Sequence, residues 1–215
     1  MTNESYAARL EIDYSESLDR FTTFFRIIWA IPIVIVLALL NAASNDRLVV
    51  LDEAGEVVEQ ATDSVGGITA SLFLVTMLLI VFRQKYPRWW FDFALEFTRF
   101  TTRVGAYVLV LTDDYPSTTD EQAVHLELDY PEATELNRWL PLVKWLLAFP
   151  HYIVLVILWV VVVPVTIIGW FAILFAGRYP QGLFDYVVGV IRWSLRVDAY
   201  AFLLLTDEYP AFSLR

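Results

Sequence analysis

The chain has 215 residues, of which 58% are hydrophobic and 19% charged, and its formal net charge is -10. Ordinary soluble domains are about 45–50% apolar, so the composition points to the membrane class. The acidic balance without a Lys/Arg stripe excludes a nucleic-acid partner, and the lack of cysteine excludes disulfides, zinc thiolates and thiol nucleophiles.

Residues 1–17 are polar and mixed in charge, without the short apolar core of a signal peptide, so the first apolar segment is expected to direct its own insertion. Residues 24–43 and 66–83 approach the ~20 residues that carry a helix across hydrocarbon, and they predict a first helical hairpin. Between them, about residues 41–65, lies an acidic insertion with Asp46, Asp52, Glu53, Glu56, Glu59 and Asp63 against one base, Arg47. Its segment 47–59 alternates around a Glu-Ala-Gly centre and predicts a small β-hairpin.

Residues 88–104 place Arg88, Asp92, Glu96, Arg99 and Arg103 on one helical stripe, with Trp90, Phe93, Leu95, Phe97 and Phe100 crowding the rest. This predicts an amphipathic helix lying in the membrane interface, its stripe toward water. Pro87 breaks the preceding span, and Asp92 sits near the new helix start, where a carboxylate favours the dipole.

The apolar block 140–176 is too long for one span and slightly short for two. A division near residues 159–164, with Pro164 in the first turn of the new helix, predicts a second hairpin. Gln181, Asp185, Gly189, Arg192 and Arg196 then repeat the stripe after Pro180.

The two halves share spaced motifs. LEIDY (10–14) recurs as LELDY (126–130), LDRF (18–21) as LNRW (136–139), KYPRWWFDF (85–93) as RYPQGLFDY (178–186), and TDDYP (112–116) as TDEYP (206–210). Arg26 pairs with Lys144, Pro32 with Pro150, and VGAY (104–107) with VDAY (197–200). The expected division is 1–118 and 119–215. The LExDY and AYxxLxT stretches alternate over four or five residues and predict short cytoplasmic strands joining the copies. Lys and Arg avoid the acidic insertion, so both termini are expected in the cytoplasm and the insertion outside.

Arg99, Arg103, Arg192 and Arg196 are candidate contacts to anionic lipid or to a partner. Their alternation with acidic residues favours ordinary interfacial ion pairs such as Glu96–Arg99 instead. Pro87, Pro180, Asp92 and Asp185 read as a structural motif. His151 has no second histidine or carboxylate nearby in sequence, so an interfacial hydrogen bond is expected over a proton relay or ligand. Transporters usually keep ionisable or helix-breaking residues at mid-membrane, and there the spans offer only Thr69, Ser71, Thr76, Thr166 and Gly169.

LELDYPE, Pro150-His151-Tyr152, the RYPQGLFDY segment with Arg192-Trp193 and Arg196, and the closing TDEYP resemble the bacterial and archaeal family called domain of unknown function 4389. The second half is the more similar. In the first, Ile33 stands where His151 stands, Phe100 where Trp193 stands, and Glu96 where Gly189 stands. The resemblance implies a small polytopic membrane protein and brings no catalytic residue or cofactor.

The expectation is an all-α membrane protein of the cell membrane: four transmembrane helices in two tandem hairpins, each followed by an interfacial amphipathic helix. A non-enzymatic scaffold, accessory subunit or membrane-shaping protein is expected, acting on membrane lipids and through a homo-oligomer or larger membrane complex. An oligomeric channel or small transporter component is the alternative. A lipid enzyme ranks third, with Asp92, Asp185 and His151 as its only acid-base groups and no cofactor.

Overall fold

Among the described residues, most of the large hydrophobic side chains that stand exposed belong to two helices. The computed structural model describes residues 6–41, 47–51, 57–61, 67–118, 120 and 122–215. Helix α1 (Arg20–Asn41) starts at Asp19, whose Oδ2 accepts from the Thr22 amide at 2.9 Å and satisfies a donor that the first turn leaves open. Helix α5 (Phe149–Ala176) stops at Gly177, where φ of +73° is the left-handed conformation glycine adopts freely, and the Gly177 amide returns to Ile173 O at 2.8 Å. These two are long and apolar enough to span a membrane. Only 17% and 22% of their apolar windows are buried in the protein, which separates them from the core helices of a soluble domain.

Helix α5 runs unbroken across residues 159–164, so the expected second hairpin does not form there. A turn without polar residues would strand several backbone groups at several kcal/mol each in hydrocarbon. Continuing through Pro164 costs about 3 kcal/mol at one position, and the helix accepts that smaller penalty. The shorter apolar helix α2 (Ile68–Leu78) continues as a π-helical stretch, Leu79–Arg83, and ends at Gln84 with φ of +46°. It meets α1 where Thr69 Oγ1 donates to Asn41 Oδ1 at 2.7 Å.

Strand β1 (Ala8–Ile12) pairs antiparallel with β4 (Val124–Leu128), Leu10 opposite Leu126. Alternation buries Ala8, Leu10 and Ile12 together with Val124, Leu126 and Leu128. Strands β2 (Arg47–Leu51) and β3 (Val57–Ala61) form the second antiparallel pair, as the alternation there predicts; their connection and most of the acidic insertion lie outside the described residues. The AYxxLxT stretches are not strands. They close α3 (Arg88–Val108) and α6 (Gln181–Ala201), and the chain turns out of helix at Val110 (φ +65°) and Leu204 (φ +57°).

Helix α3 presents Phe91, Ala94, Phe100, Val104 and Tyr107 to the interior. Helix α6 is buried on more than one face, with Phe184, Val187, Val190, Trp193, Val197 and Tyr200 all covered. It is a packed element and does not lie free at an interface. After the short α4 (Pro141–Leu147), α5 runs antiparallel to α6, as shown by Tyr186 OH donating to Leu158 O and Trp193 Nε1 to His151 Nδ1. Each large apolar side chain removed from water along these faces contributes roughly 1.5–3 kcal/mol.

Candidate functional site

The arginines that the sequence offers as lipid contacts are spent on backbone carbonyls. Arg99 Nε donates to Leu126 O at 3.0 Å and Arg192 Nε to Leu10 O at 2.9 Å. Those carbonyls belong to facing residues of the β1–β4 pair, so one arginine closes each open edge of the two-stranded sheet. Arg103 Nη1 donates to Ser117 O at 2.6 Å. Arg196 is 2% exposed; its Nη1 donates to Arg215 O at 2.6 Å and its Nη2 to Ser213 O, which fastens the tail onto α6. A lipid-contact role for Arg196 is therefore overturned by burial. Arg99 also pairs with Glu96 at 2.7 Å, the expected local ion pair.

Two further cations lie deep at corresponding positions. Arg26 pairs with Asp113, donates to Thr112 O at 2.6 Å, and places its guanidinium 4.7 Å from the Tyr107 ring centre. Lys144 pairs with Asp207 at 2.7 Å, donates to Thr206 O at 2.7 Å, and lies 5.2 Å from the Tyr200 ring centre. Tyr14 OH donates to Tyr179 O just as Tyr130 OH donates to Tyr86 O.

The remaining expected site residues do not assemble. Pro87 and Pro180 cap α3 and α6 in extended conformation. Asp92 is exposed and pairs with Arg88 at 3.3 Å, and Asp185 is exposed. His151 is fully buried; it accepts from Trp193 Nε1 at 3.0 Å and stacks on Phe212 at 3.9 Å. Gly169 is a seat for Tyr179, since a Cβ there would lie 2.3 Å from the ring.

A site the sequence did not single out lies between α2, α3, α5 and α6. A cavity of about 410 Å³ is lined by Thr98, Thr101 and Thr102 of α3, Trp159 of α5, and Ser194 and Asp198 of α6, among apolar neighbours. A second cavity of about 460 Å³, bounded by Tyr152, Leu155 and Val197, shares Trp159, Ser194, Asp198 and Phe202 with the first. The three threonine hydroxyls donate to Ala94, Phe97 and Thr98 carbonyls at 2.7–2.9 Å, whereas Ser194 Oγ donates to Val190 O at 2.9 Å and accepts from Trp159 Nε1 at 3.1 Å. The threonine hydrogens are used internally, and acceptor lone pairs on the threonine oxygens remain. The Asp198 carboxyl is exposed to the cavity, and desolvation by the helices around it pushes its pKa up to about 7. The sequence signal was the change of Gly105 in VGAY to Asp198 in VDAY within otherwise matching motifs.

No curated protein and no solved structure matches the chain. Residues 139–213, which run from just before α4 through Asp198 to the tail held by Arg196, match the family model described as Domain of unknown function (DUF4389).

Proposed function

We propose that this chain is a non-enzymatic, multi-pass membrane scaffold that works by packing against lipids and against further copies of itself or a partner complex. The observation that carries this reading is the division of labour on its surface. Ile27, Ile31, Ile35 and Val156, Val160, Val163 stand exposed on α1 and α5, while the buried cations are consumed by internal bonds. Groups tied up in this way hold a shape; they are not free to move protons or attack a substrate.

Residues 1–118 and 119–215 act in this reading as two copies of one module. Its supports are the matched bonds of Arg26 and Lys144, of Tyr14 and Tyr130, and of Arg99 and Arg192. The last two sets cross from one half to the other, so neither half completes its own interior. Both termini belong in the cytoplasm by the distribution of Lys and Arg.

Reconstitution into liposomes tests the scaffold against the channel. The expected outcome is a stable assembly seen by cross-linking and no ion flux above that of empty vesicles. Protein-dependent flux that Thr166→Val alters would replace the scaffold with a pore.

A further inference from the structure

Asp198 is an ionisable group on the wall of an apolar space, and the described hydrogen bonds give its carboxylate no partner. Asp198 is exposed only to this cavity-lined face of α6, and a carboxylate facing mostly apolar walls gains from a partner of opposite charge. The described lining residues of the two cavities include no Lys, Arg or His; Tyr152 of α5 is the other titratable group, while α2 and α3 present threonines and apolar side chains. The Tyr152 hydroxyl is buried and unpartnered. The neighbouring hydroxyls offer acceptors, so the polar end of the cavity asks for a donor with positive charge. The remaining walls, including Leu72, Leu109 and Phe202, suit a hydrocarbon chain, and the volume lies in the range of small-molecule sites.

We propose that the paired cavity around Asp198 binds an amphiphile carrying a protonated primary amine, with the ammonium on the Asp198 carboxylate and the chain against the apolar wall. The site goes beyond the scaffold reading: a channel result would sink that reading and leave this one standing. Gly105 gives the inference a second handle. Gly105 lines the first cavity and a Cβ added there meets nothing within 4 Å, so a larger side chain there is a way to occupy that space.

The test uses the full chain in a neutral maltoside detergent, titrated with dodecylamine and, in parallel, dodecyl sulfate, with binding read by native mass spectrometry. Saturable dodecylamine binding is expected, weakened about tenfold or more by Asp198→Asn and by Gly105→Leu, with no loss of thermal stability in the Gly105→Leu protein. Amine binding should strengthen as pH rises through about 7, because the carboxylate then ionises. Retention of phosphatidylethanolamine over phosphatidylcholine would identify a lipid headgroup as the amine; dodecylamine binding without that retention would identify a free amine. Equal binding by wild type and Asp198→Asn, or dodecyl sulfate binding as tightly as the amine, would overturn the proposal.

Discussion

Lys144 has no exposed surface, and its ammonium is held by Asp207 and by the Thr206 carbonyl. Removing one member of a buried pair is asymmetric. Asp207→Ala leaves a dry, uncompensated cation and should lower stability by about 3 kcal/mol or more, whereas Lys144→Met leaves a carboxylate that water still reaches and should cost less. Thermal unfolding in detergent compares the two, and equal losses would contradict the asymmetry. Asp198 gives a pH signature of the opposite kind to a salt-bridged carboxylate. Its folded pKa, about 7, exceeds the reference value of 3.8, so the native state binds more protons between those limits and stability falls as pH rises across that window. Asp198→Asn should flatten this slope and be the more stable protein at about pH 8. An unchanged slope would mean that the cavity leaves the carboxyl as well solvated as in the unfolded chain. The recurrence marks the cations in the sequence, but a helical stripe does not say whether it faces water or another part of the chain, and nothing in the stripe tells that Arg196 holds the tail.

At the scale of elements, the β1–β4 pair is where the two halves join, and it was legible because LExDY recurs with alternating burial. Its register makes a direct prediction. The chain has no cysteine, so Glu11→Cys with His125→Cys introduces the only thiols, at facing positions whose Cα separation in an antiparallel pair is about 5.5 Å. Oxidation should close this disulfide efficiently and fail for Glu11→Cys with Glu127→Cys, which are offset by two residues; the reverse pattern would refute the register. The continuity of α5 was not legible, because Pro164 suits a helix start as well as a membrane helix interior, and only the backbone cost of a dry turn separates the two. The AYxxLxT stretches misled for a related reason: their alternation is short, and packing of Tyr107 and Tyr200 beside buried cations draws them into helix ends.

For the whole molecule, the apolar excess pointed to a membrane protein, and the exposed flanks of α1 and α5 agree with it. The Asp198 cavity could not be read from the sequence, since four helices from distant parts of the chain surround it and only one substitution within a repeated motif marks its carboxylate. Every functional reading depends on those flanks facing hydrocarbon. Washing membranes that carry the chain with alkaline carbonate tests this most directly. The protein should remain in the pellet until detergent is added; release into the supernatant by carbonate alone would contradict the account.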